Sequence, residues 1–255
     1  MSSNEGYVKI KKAKNGISEI EFFHPQSNSL PSNLLRELTA AITSLGIDEN
    51  TNVIVLKSGG DRTFCAGASF NELASISTID EGIDFFSGFA NVINAARKCP
   101  KLIIGRVQGK AVGGGVGMAS AVDYCFATKY ASIKLSELAI GIGPFVVGPA
   151  VERKIGISAM SSLAINATKW FDSNWALEKG LYTELFETSK EMDENIKQLA
   201  LKINNSHQKA TTSLKRVFWE GTDHWDKLLR ERAEISGKLI LSEFSKKTIS
   251  TILKK

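Results

Sequence analysis

Short apolar runs alternate with helix-spaced stretches through the first part of the sequence. Val53-Ile54-Val55-Leu56 and Leu102-Ile103-Ile104-Gly105-Arg106-Val107 are too short for helices, yet they show no polar alternation. This predicts strands buried on both faces, as in an α/β domain with a largely parallel sheet. Further strands are predicted near Tyr124 to Ala127 and Ser132 to Leu135, and a hairpin of Tyr7 to Ile10 with Ile17 to Phe22 around Asn15-Gly16. Between them, helices are predicted near Ser32 to Ser44, with Ser32 able to cap, and over Phe85 to Lys98 up to the stop at Pro100.

Beyond Gly148 the pattern changes. Residues 149 to 255 read as almost wholly helical, including Met160 to Ala167, Trp175 to Glu178, Glu191 to Ile203 and an amphipathic stretch from Trp225 to Ile240. At 255 residues, one large domain and a domain with a helical appendage are both allowed. A hydrophobic share of 43% with 23% charged residues excludes a disordered chain. The net charge of +5 is interspersed, except for an excess at Lys238, Lys246, Lys247, Lys254 and Lys255 that suits either a phosphate-bearing ligand or a solvated tail. Cys65, Cys99 and Cys125 are odd in number and form no Cys-x-x-Cys pair, so they predict buried thiols in a reducing compartment. Met1 to Lys14 is polar and basic, and no run of 18 apolar residues occurs, which predicts a soluble, cytoplasmic protein without a membrane partner.

Three segments could carry chemistry. The first, Val107 to Gly117 with Gly113-Gly114-Gly115 at its centre, joins a strand to a helix, whose N-terminal N–H groups can stabilise an anion or a developing oxyanion. It departs from the phosphate loop, having Val116 where Ser or Thr is needed, and from the dinucleotide fingerprint, having Met118 for the last glycine. The second, Phe64-Cys65-Ala66-Gly67-Ala68, could supply another backbone donor at the end of a neighbouring strand. In the third, Glu137 stands alone in an apolar run from Leu135 to Pro144. There its charged form is disfavoured, unless it lies at the solvent edge of a strand or caps a helix. The glycines also fit tight strand-helix packing without any chemistry.

Other sites are poorly supported. His24, His207 and His224 are widely separated and give no metal-ligand spacing, and no Gly-x-Ser-x-Gly elbow occurs. Asp123, at a helix-strand junction, reads as a core hydrogen-bonding residue.

In this order the three segments, with Ser27-Asn28-Ser29-Leu30 after Pro25, resemble the enoyl-CoA hydratase/isomerase (crotonase) family over nearly the whole chain. The resemblance implies a spiral α/β core of ββα repeats over 1–190 and a helical C-terminal region over 191–255 that covers the active site and serves trimerisation. It implies an acyl-CoA thioester held by the N–H groups of Ala68 and Gly114, with Glu137 as acid-base. Ala66, Gly67, Gly113 and Gly115 would line the substrate path, and Lys247 would reach the CoA. No metal and no cofactor apart from the CoA of the substrate are implied, and the implied assembly is a homotrimer or a hexamer made of two trimers.

Two positions depart from the family pattern. Gly117 stands where hydratases usually carry a further glutamate, and Ser69 where aspartate is common. One base suffices to isomerise a 3-enoyl to a 2-enoyl thioester, while hydration would need another group to orient water. Decarboxylation of a β-carboxylated acyl-CoA and a non-catalytic member binding CoA or RNA are the alternatives, nucleic acid being the weaker.

Overall fold

The computed structural model describes residues 6–12 and 15–254, so Lys255 and part of the basic N-terminal segment lie outside the described residues. Its strands are β1 (Tyr7–Lys12), β2 (Ile17–Phe23), β3 (Ser29–Leu30), β4 (Val53–Ser58), β5 (Thr63–Cys65), β6 (Gly67–Ala68), β7 (Leu102–Val107), β8 (Lys110–Val112), β9 (Tyr124–Thr128), β10 (Ile133–Lys134) and β11 (Glu184–Phe186). Helices α1 (Ser32–Ile47), α2 (Phe70–Ser75), α3 (Ile79–Lys98), α4 (Gly114–Ala121) and α5 (Gly148–Ile165) lie among and just after the strands. Then come α6 (Ser173–Glu178), α7 (Ser189–Asn204), α8 (Gln208–Phe218), α9 (Trp225–Leu239) and α10 (Glu243–Leu253).

The long sheet has the order β1-β2-β4-β7-β9-β11, with the predicted β1-β2 hairpin antiparallel and every later pair parallel. Each of β4, β7 and β9 is followed by a short strand, β5, β8 and β10, that stacks in a second parallel sheet ordered β10-β8-β5. A helix then leads to the next turn, which is the expected ββα spiral.

The apolar runs owe their continuity to burial on both sides. Ile54, Leu56, Ile103 and Val107 face the main core, while Val53, Val55, Ile104 and Phe126 form a second cluster with Met192, Ile196 and Ala200 of α7. Thus α7, from the C-terminal region, covers the outer face of the sheet, and α9 packs along α3 on the other side. At their crossing a Cβ on Gly82 would lie 2.8 Å from the Gly237 Cα, so two glycines set how closely these helices approach.

Two local expectations are corrected. Strand β11 interrupts the region read as helical; Glu184-Leu185-Phe186 pairs with β9, and Glu184 accepts a hydrogen bond from the Tyr124 hydroxyl at 2.5 Å. Ser32 does not cap α1 either: it is the first helical residue, and its backbone N–H donates to Glu72 Oε2 of α2 at 2.7 Å. The carboxylate does what a capping side chain would, meeting an unpaired N–H at the positive end of the helix.

Candidate active site

The small-residue loop is held from below by Asn28, whose side-chain amide donates to the carbonyls of Gly59 at 2.9 Å and Thr63 at 2.8 Å. Asn28 itself has φ +56°, a left-handed conformation that asparagine tolerates better than most residues. Strand β3 then pairs with β6, Leu30 opposite Ala68, and Ser69 N–H donates to the Leu30 carbonyl at 3.2 Å. The Ser69 hydroxyl accepts from Glu72 N–H and caps α2, a role aspartate fills equally well. Gly67 has φ +86°, and a Cβ there would stand 2.8 Å from the Val112 carbonyl oxygen and 3.4 Å from Gly114 N. The two glycine-containing loops therefore touch backbone to backbone.

Gly113 precedes α4 with φ +52°, and a Cβ at this position would meet Glu137 Oε1 at 2.8 Å. Gly114 opens the helix, so its N–H belongs to the first turn and has no intrahelical acceptor. Glu137 begins a 3₁₀ turn, Glu137–Ile140, closed by the left-handed Gly141. Although the residue as a whole is half-buried, its Oε2 is out of contact with solvent and has no hydrogen-bond partner. Burial pushes its carboxyl up to about 7, against a smaller lowering by the Glu137 N–H.

Ala66, Gly67, Ala68, Gly113, Gly114 and Glu137 all line one cavity of about 50 Å³, in which Glu137 is the only titratable side chain among the described residues. Gly115 lies outside it, with its Cα against the Cys65 carbonyl, where a Cβ would approach to 2.5 Å. Lys247 is exposed on α10 and does not line the cavity. Part of the remaining wall was not anticipated: Phe86 and Phe89 from α3, Phe145 and Val147 before α5, and Ser236 from α9. At Gly117 a Cβ would stand 2.5 Å from Val147 Cγ1, so the position of the missing glutamate is closed by a valine.

Larger clefts lie elsewhere. One of about 530 Å³ over the outer sheet face is lined by Glu19, Lys57, Arg106 and Asp193, charges that pair with one another. Among the described residues it holds no buried unpaired group, and it reads as a solvated surface. Asp123 is structural, accepting from Ile103 N–H, from Trp219 Nε1 at 2.9 Å and from the buried Lys215 ammonium at 2.6 Å. Among the described residues no three His, Cys, Asp or Glu side chains are grouped to hold a metal, and no helix is long and apolar enough to cross a membrane. The three cysteines are free and buried.

Residues 12–251 match the model of a family described as enoyl-CoA hydratase/isomerase. An Arabidopsis thaliana peroxisomal Δ(3,5)-Δ(2,4)-dienoyl-CoA isomerase is 30% identical over 206 residues, 75% of this chain and 72% of that protein. A Homo sapiens mitochondrial methylglutaconyl-CoA hydratase is 33% identical over 167 residues, 65% of this chain but 49% of its own length. Among solved structures, an enoyl-CoA hydratase from Bacillus halodurans superposes with a TM-score of 0.88 over 96% of this chain and 99% of that one, at 23% identity.

Proposed function

Since the chain belongs to the enoyl-CoA hydratase/isomerase family, whose members act on acyl-CoA thioesters, we propose that it is an enoyl-CoA isomerase working with one carboxylate. The observation that carries this reading is that Glu137 is alone: among the described residues no second titratable side chain lines the cavity, and Val147 fills the space beside Gly117. In this reading the N–H groups of Ala68 and Gly114 hold the thioester oxygen. Each such donor is worth about 2.7–4 kcal/mol of transition-state stabilisation where it has been removed from other enzymes. Glu137 takes a proton from C2, and the C–H electrons form an enolate conjugated with the C3–C4 double bond. The carboxylic acid then returns the proton at C4, leaving the double bond between C2 and C3. A carboxyl poised at about 7 is both base and acid near neutral pH.

Hydration is the second reading, favoured by the human relative's name; Ser136 and Ser236, which also line the cavity, are the groups left to orient water. Decarboxylation would use the same oxyanion donors. A trimer, or two trimers, belongs to the proposal, supported by Leu214, Val217 and Phe218 of α8, which are exposed while the same helix buries Lys215. A neighbouring subunit would also give Lys247 a CoA to reach. The reaction needs no cofactor beyond the CoA of its substrate, and the buried free thiols suit a reducing cytoplasm.

Proton NMR of the protein with a 3-enoyl-CoA of four or six carbons, and with crotonyl-CoA, tests the reading. The expected result is 2-enoyl product from the 3-enoyl thioesters, lost with Glu137→Gln. New 3-hydroxyacyl resonances from crotonyl-CoA would replace isomerisation by hydration.

A further inference from the structure

We infer that this site is built for short acyl groups, with Phe89, Phe145 and Val147 setting the limit; the inference rests on the acyl-CoA reading above. The cavity offers about 50 Å³. An ordinary small-molecule pocket has roughly 300–1,000 Å³, so the space beside Glu137 is tight for anything longer than a short acyl group.

The walls have little freedom to retreat, because at several points a side chain or helix already occupies the place where a glycine's Cβ would stand. A Cβ on Gly114 would lie 2.0 Å from Phe89 Cε1, one on Gly117 2.5 Å from Val147 Cγ1, and one on Gly143 2.5 Å from the Phe145 ring. Phe86 and Phe89 are in turn set edge-on against Phe85, with ring centroids 5.4 and 6.4 Å apart, and all three rings are buried. Helix α9, which brings Ser236 to the cavity, is seated on α3 at Gly82 and Gly237. Lengthening the cavity therefore requires moving a packed ring or a packed helix.

The contrast with an extensible tunnel is large. Each pair of methylenes buried in an apolar tunnel tightens binding about fifteen-fold. The test is calorimetric titration with acetyl-, butyryl-, hexanoyl- and octanoyl-CoA, saturated thioesters on which isomerisation has no double bond to act. The expected result is tightest binding at acetyl- or butyryl-CoA and at least ten-fold weaker binding of octanoyl-CoA. Val147→Ala, and independently Phe89→Leu, should tighten octanoyl-CoA at least five-fold without tightening acetyl-CoA. Affinity that is flat or rises with chain length in the unmodified protein overturns the inference while leaving the acyl-CoA reading intact. Failure of every thioester to bind overturns that reading and the inference with it.

Discussion

Replacing Glu137 by glutamine is expected to slow turnover sharply and, at alkaline pH, to stabilise the fold. The carboxyl is lifted from 4.5 to about 7 by burial, so the folded state holds its proton over a range in which the unfolded chain has released it. A raised carboxyl contributes its full stability below 4.5, and that contribution is lost as pH rises through about 7. At 1.36 kcal/mol per unit, ionising Glu137 costs the native state about 3 kcal/mol between about pH 5 and pH 8. Glutamine has nearly the same shape and keeps a polar group in the same unpartnered place, so packing and unsatisfied hydrogen bonding largely cancel in the comparison. The quantity to measure is the stability difference between variant and wild type by urea unfolding, at about pH 8 minus that at about pH 5. About +3 kcal/mol is expected, equivalent to roughly 6–12 °C in melting temperature for a domain of this size. The fall in kcat is expected to be about 10²- to 10⁴-fold. A variant with the same pH slope of stability as wild type would mean that the carboxylate is solvated when ionised, and the argument for a poised base would collapse.

Two further outcomes follow from packing. Gly237→Ala would place a Cβ 2.8 Å from Ile83 N, and overpacking of this kind costs about 1–3 kcal/mol; thermal unfolding should show a drop of several degrees, and none would mean that the α3-α9 contact is slack. Asp123→Asn removes the charge facing the buried Lys215 ammonium and is expected to cost about 3–5 kcal/mol in urea unfolding, whereas a loss below about 1 kcal/mol would show that Lys215 finds water instead.

What could be read from the sequence divides along physical lines. Strands β4 and β7 were legible because both faces are buried, which forces an unbroken apolar run. Strand β11 was not, since three residues beginning with a glutamate become a strand only through pairing with β9. Glu137 and the two glycine-containing loops stood out because a lone carboxylate among apolar residues and consecutive glycines are local oddities. Phe86, Phe89, Phe145 and Val147 were hidden for the opposite reason: an apolar side chain beside a cavity has the same sequence spacing as one in the core. Ser236 carried no local signal, because it reaches the cavity only through the crossing of α9 over α3. Glu72 as the partner of Ser32 N–H was equally invisible, the two lying on separate helices.

The contact between Gly82 and Gly237 also fixes when, during synthesis, the protein can become a working enzyme. Helix α3 leaves the ribosome long before α9, and at about 5–20 residues per second the interval is on the order of ten seconds. For that time α3 lacks the helix that seats on Gly82, and the cavity has no Ser236. Nascent chains halted before Trp225 would thus leave the Gly82 face of α3 without its partner helix. The two glycine-containing loops, although encoded in the first half of the chain, share a cavity that is complete only once α9 has arrived.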